Sequence, residues 1–169
     1  MTSLINEALK QKNTLITKMD SVILATLDDK NMPNSSYAPC FVDENNHFYI
    51  YISFLSKHTK NLILNKNVSF MIIEDESDAE NIFGRKRLTI DAFAQKIARD
   101  SDNWNQIMDC MEKKFGNTLT YLKKMTDFKL FKLVPRQGLL VYGFARAFKF
   151  TDEKLEIVDH LNDQGHSQK

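Results

Sequence analysis

The sequence predicts an α+β protein in which six or so mainly antiparallel strands form a barrel and helices are inserted between them. Three observations predict it. Several runs alternate apolar and polar residues with the period of a half-buried strand, most cleanly Leu88, Ile90, Ala92 and Ala94, and the segment FKLFKLV at residues 128–134. Polar clusters rich in Asp, Asn and Pro, such as DDKNMP and DENN, separate those runs as turns do. Apolar stripes with helical spacing are few and lie apart from the strand-like runs.

Taken in order, residues 4–19 carry apolar side chains at Leu4, Ile5, Ala8, Leu15, Ile16 and Met19, which predicts an amphipathic N-terminal helix within residues 1–20. Residues 21–27 (SVILATL), 34–42 and 47–53 (HFYIYIS) are predicted strands, with 28–33 and DENN as the turns of a meander. Residues 56–65 are a predicted helix with Ser56 as N-cap. Residues 68–73 form an apolar strand that runs into the acidic loop EDESDAEN, and 85–99 form a long half-buried strand. Ser101 caps a helix over 101–115, whose buried stripe is Trp104, Ile107, Met108, Met111 and Phe115 and whose stop is Gly116. Residues 128–134 and 139–150 are strands, with a break expected at Pro135–Gly138. A short C-terminal helix is expected over 152–161, then the tail NDQGHSQK. No repeat, low-complexity segment or linker divides the chain, so residues 1–169 are expected to form one domain.

Composition narrows the function classes. A net charge of +1 predicts no strong attraction to nucleic acid or to an anionic membrane. No apolar stretch is long enough for a signal peptide or a membrane span. Cys40 and Cys110 stand far apart and form no CxxC pattern, which points to free thiols in a reducing cytoplasm. Twelve Phe and five Tyr supply aromatic surface for packing, an interface or a flat ligand. No GxSxG, HExxH, Walker or GxGxxG motif is present.

Several residues then carry two readings each. His166, after Gly165 in a polar tail, is either a solvated end or a metal ligand on an arm. Asp127, just before the strand FKLFKLV, is either a turn residue or a carboxylate that receives the second N–H of a ligating imidazole. Arg85, Lys86 and Arg87 form either a solvated charge run or a fork for phosphate or carboxylate. The segment SFLSKHTKN, with Lys57, His58, Lys60 and Asn61, is either a polar face or an anion seat at a helix start.

The runs ATLDDKNMPNSSYAPCFV, ISFLSKHTKNLILNKNVSFMIIEDESDAENIFGRKRLT and DFKLFKLVPRQGLLVYGFARAF resemble the HutZ-type heme-utilisation proteins, within the wider pyridoxamine-phosphate-oxidase-like split barrels. The resemblance runs from about Ser21 to His166, and the order of SKHTKNL, IIED, RKRLT and the terminal Gly-His is its most specific part. It implies a six-stranded split β-barrel that forms a homodimer and binds heme between subunits. It implies that His166 is the axial iron ligand and that Asp127 hydrogen-bonds to it across the dimer. It further implies oxygen-dependent heme breakdown that releases iron, with an electron donor the sequence does not name. A heme carrier or store without catalysis needs the same ligand. Flavin-binding relatives hold the FMN phosphate with residues that correspond to Lys57, Thr59, Lys60, Arg85 and Arg87, so an FMN-dependent oxidoreductase stays open at this point. One departure from the family is the tail, which has only three residues after His166.

Overall fold

The computed structural model describes residues 2–144 and 146–160. Its core is one antiparallel sheet of nine strands. β1 (Ser21–Leu27), β2 (Pro33–Pro39), β3 (Phe41–Val42), β4 (Phe48–Ser53), β5 (Asn67–Ile73), β6 (Arg87–Ile97) and β7 (Phe128–Val141) follow the path β2-β1-β5-β6-β7-β4-β3. β8 (Ala147–Phe150) and β9 (Val158–His160) extend it from β7. The sheet curls until β2 and β4, near opposite ends of the path, touch each other. The six strands from β2 to β4 are therefore the barrel wall expected from the sequence, and β3, β8 and β9 are additions to it.

Alternation along the strands fills the interior. Val22 and Leu24 of β1, Val68, Phe70 and Ile72 of β5, and Leu88, Ile90, Ala92 and Ala94 of β6 enter one buried cluster. Helix α1 (Thr2–Lys18) closes the barrel with Ala8, Leu15 and Ile16. β4 is buried on both faces, because Phe48, Ile50 and Ile52 face the barrel while Tyr49 and Tyr51 face Trp104, Met108 and Met111 of α3 (Asp102–Phe115). Ser101 Oγ accepts the Trp104 N–H at 3.2 Å, so the expected cap of α3 forms.

Several expectations need correction. β7 runs without a break through Pro135. Opposite it, Asp91 pairs with Gln137 and Ala92 with Pro135, which leaves Arg136 as a bulge residue, and a bulge is where a strand tolerates proline. The chain interrupts later, between β7 and β8, where Gly143 takes φ +138. The predicted strand over 34–42 divides at Cys40 into β2 and β3. No helix forms over 152–160. Instead the Asp152 carboxylate accepts the N–H groups of Lys154, Glu156 and Ile157, which folds a turn that leads into β9. A short helix α4 (Asn117–Leu122) follows Gly116 and was not expected. Helix α2 (Lys57–Leu64) lies where predicted, but Ser56 makes no side-chain cap bond. Among the described residues, no helix is long and apolar enough to cross a membrane.

Candidate functional site

Antiparallel pairing of Ser53 with Phe128 brings the end of β4 beside the start of β7. That pairing puts Asp127 against the turn at Phe54 and Leu55. Phe54 N–H donates to the Asp127 carbonyl at 2.9 Å, and Ser53 Oγ donates to Asp127 Oδ2 at 2.7 Å. Leu55 N–H in turn donates to Ser53 Oγ at 3.1 Å. Thr59 Oγ1 donates to the Ser53 carbonyl at 2.6 Å, which ties the first turn of α2 to the same point. The approach to Asp127 is fixed from the other side by Arg99, whose guanidinium donates to the carbonyls of Lys123 and Met125 and to Tyr51 Oη. Asp127 is half-buried, and among the described residues nothing bonds to its Oδ1. Beside it, Leu55 is 84% exposed and Phe54 also reaches solvent, so a polar acceptor sits next to apolar surface.

His58, the second residue of α2, is only 9% exposed and its Nε2 has no partner among the described residues. Burial holds its pKa below the ordinary 6.5, so the ring is neutral at neutral pH. Asn61 Nδ2 donates to Thr26 Oγ1 at 2.9 Å, a buried bond that anchors α2 on β1. Lys57 Nζ pairs with Asp28 Oδ2 at 3.1 Å, and Lys60 Nζ lies 5.8 Å from the Phe54 ring centre. Of the residues singled out in the sequence, Asp127, Lys57, His58, Thr59, Lys60 and Asn61 thus gather at one end of the sheet.

Arg85 and Arg87 do not join them. Arg87 pairs with Val141, at the opposite end of β7 from Phe128. Arg85 is already engaged there, through Nε to the Glu74 carbonyl at 2.7 Å and Nη1 to Glu76 Oε1 at 3.0 Å. Arg87 Nη1 donates to the Arg85 carbonyl. His166 lies outside the described residues. Ser53 and Phe54 lie inside the segment SFLSKHTKN singled out in the sequence but carry no role of their own there, and Arg99 is not singled out at all. The contact of Ser53 with Asp127 spans 74 positions and follows from strand pairing, which no local motif encodes.

Comparison with known proteins places this geometry in a family. The family model for pyridoxamine 5'-phosphate oxidase matches residues 8–142. The heme oxygenase HutZ of Vibrio cholerae serotype O1 is 43% identical over 143 residues, which are 85% of this chain and 80% of that protein. A crystal structure of Vibrio cholerae HutZ, described as a heme storage protein, superposes with TM-score 0.73 at 36% identity, over 88% of this chain and 97% of that one. The Campylobacter jejuni ChuZ structure superposes with TM-score 0.86 at 34% identity, over 97% of this chain and 66% of that one. The curled sheet, the matched span and the identity over most of its length establish that this chain belongs to the pyridoxamine 5'-phosphate oxidase family, among its HutZ-type members.

Proposed function

We propose that this protein binds heme between two copies of itself and degrades it with oxygen, releasing iron in the cytoplasm for the cell's use. The observation that carries the reading is Asp127, a carboxylate held by Ser53 through one oxygen while the other is left to accept a hydrogen bond. An iron-ligating histidine donates its second ring N–H to such a carboxylate, which fixes the ring and strengthens the ligand. His166 is the proposed ligand. Heme, when bound, supplies the iron that activates oxygen and the porphyrin that is broken down. The chain's own part is to hold the ring, to set the basicity of the ligand through Asp127, and to cover the porphyrin with apolar side chains such as Phe54 and Leu55. The names of the 43% identical HutZ and of the ChuZ and HutZ structures support heme as the ligand class.

Chain geometry supports a site made by two copies. β9 ends at His160, which pairs with Phe148, and Phe148 pairs with Leu140. From Phe128 to Leu140 the contour of β7 is about 40 Å at a strand's rise per residue. The six-residue step from His160 to His166 reaches at most about 21 Å. A partner's tail is the proposed source of the His166 that meets Asp127. The outer face of the sheet also carries a row of side chains, Tyr37, Ile23, Met71, Thr89 and Leu139, paired strand to strand across β2-β1-β5-β6-β7. Tyr37 is 63% and Ile23 42% exposed, which suits burial against a second copy.

The test is titration with hemin, followed by reductant and air. His166→Ala is expected to lose most of the heme affinity, and Asp127→Asn to keep heme with altered turnover. Sedimentation of the complex is expected to give two chains. Unchanged hemin binding by His166→Ala sinks the ligand assignment. Storage without chemistry is the second reading, favoured by the description of one HutZ structure. Loss of the Soret band with release of iron supports degradation, and a stable spectrum supports storage.

A further inference from the structure

The proposed ligand contact requires that Asp127 present one particular oxygen. A serine hydroxyl has one hydrogen to donate and lone pairs with which to accept. At Ser53 both capacities are used. Leu55 N–H enters Oγ at 3.1 Å, and the hydroxyl hydrogen goes to Asp127 Oδ2 at 2.7 Å. The Ser53 backbone is itself fixed by Thr59 Oγ1 on its carbonyl and by pairing with Phe128. The main chain of Asp127 is held by Phe54 N–H. One turn therefore grips this residue twice, at its backbone carbonyl and at one carboxylate oxygen. Turning the carboxylate out of this orientation would break a charge-assisted bond, so one oxygen stays held by Ser53 and the other, here Oδ1, stays aimed as the available acceptor.

We infer that Ser53 is the positioning residue of the heme site, holding Asp127 so that Oδ1 receives the N–H of the iron-ligating imidazole. The inference rests on the heme reading above and goes beyond it by naming what orients Asp127. Ser53 touches neither porphyrin nor iron in this account. It acts only through Asp127, so its removal must reproduce part of the effect of removing Asp127, and must do nothing once Asp127 is gone.

The full chain, loaded with hemin, is compared with Ser53→Ala, Ser53→Thr, Asp127→Ala and the Ser53→Ala/Asp127→Ala double variant. Two quantities are read, hemin affinity and the midpoint reduction potential of the bound heme. Asp127→Ala, which removes the direct partner of the ligand, is expected to weaken hemin binding about 10-fold or more, and Ser53→Ala by a fraction of that, on the order of a few-fold. The potential of Ser53→Ala moves in the same direction as that of Asp127→Ala, and the double variant matches Asp127→Ala alone. Ser53→Thr, which keeps the hydroxyl, restores both quantities. Ser53→Cys, close in size with a weak donor, repeats the measurement if alanine opens the turn. A Ser53→Ala protein that only melts lower, with wild-type potential and affinity, overturns the inference while Asp127→Ala still shifts the potential. A wild-type potential in Asp127→Ala overturns the reading of Asp127, and the role of Ser53 falls with it.

Discussion

His58 makes stability depend on pH in a window that can be isolated. The ring is buried at the start of α2, where desolvation lowers its pKa. In the unfolded chain the same ring titrates near 6.5. Below that value the unfolded state binds a proton that the folded state refuses, so stability is complete above 6.5 and falls as pH drops toward the depressed folded pKa. The slope approaches about 1.4 kcal/mol per pH unit, and lowering pH from 7.5 to 5.5 costs up to about 1.4 kcal/mol. The depressed carboxylates Asp28 and Asp43 act in the same direction, but only below the unfolded carboxylate value of 3.8, outside this window. Urea unfolding at a fixed protein concentration, at pH 5.5, 6.5 and 7.5, measures the effect. His58→Leu is expected to flatten the curve, since Nε2 gives up no hydrogen bond and leucine carries no proton. Wild type and His58→Leu losing stability in parallel between pH 7.5 and 5.5 would refute the reasoning.

Two other substitutions probe how the site is held. Arg99→Met removes the donors to the carbonyls of Lys123 and Met125 and to Tyr51, and is expected to cost about 3 kcal/mol in chemical denaturation, given that bonds to a charged group are worth about 1.5–3 kcal/mol each and do not add fully. Arg99→Lys should recover little of it, because an ammonium lacks the planar fork. Gly138→Val tests the packing of the turn before β9, since even a Cβ there would lie 3.2 Å from Leu155 Cδ2. Thermal unfolding is expected to report a loss of about 2 kcal/mol from overpacking.

What was legible in the sequence was what local periodicity encodes. The interior positions of β6 alternate, and so Leu88, Ile90, Ala92 and Ala94 were assigned to the core from spacing alone. The α3 stripe was legible for the same reason, with Trp104, Met108 and Met111 buried on one face. β7 was misread because proline was weighed as a strand breaker, and the bulge that accommodates Pro135 depends on the partner strand. The segment 152–160 was misread as helix because its turn is organised by one carboxylate, Asp152, whose three N–H partners have no hydrophobic period. In the candidate site, Asp127 and the SKHTKN segment were named, but what joins them was not. The bond from Ser53 to Asp127 and the grip of Arg99 on the preceding loop are consequences of which strands neighbour one another.

A ligand site is marked by bonding capacity that the fold leaves unmet, and this bears on which flat cofactor the family's barrel takes here. A flavin phosphate needs donors. Several of the side chains that could supply them are occupied: Thr59 donates to the Ser53 carbonyl, Asn61 to Thr26, Lys57 pairs with Asp28, and Arg85 is committed to Glu74 and Glu76 at the far end of β7, whereas Lys60 contacts only the Phe54 ring and Arg87 uses only Nη1. Among the described residues, the groups without partners around the turn from Ser53 to Thr59 include Asp127 Oδ1, an acceptor, the Nε2 of His58, on a ring that burial keeps neutral, and the Ser56 hydroxyl. An acceptor left open beside apolar surface suits the N–H of a metal-bound imidazole and repels a phosphate. Once their partners are known, the basic residues that made flavin and heme equivalent in the sequence weigh less for a phosphate, because only Lys60 and part of Arg87 stay uncommitted and these lie toward opposite ends of the sheet, and more of the balance passes to the carboxylate at the start of β7.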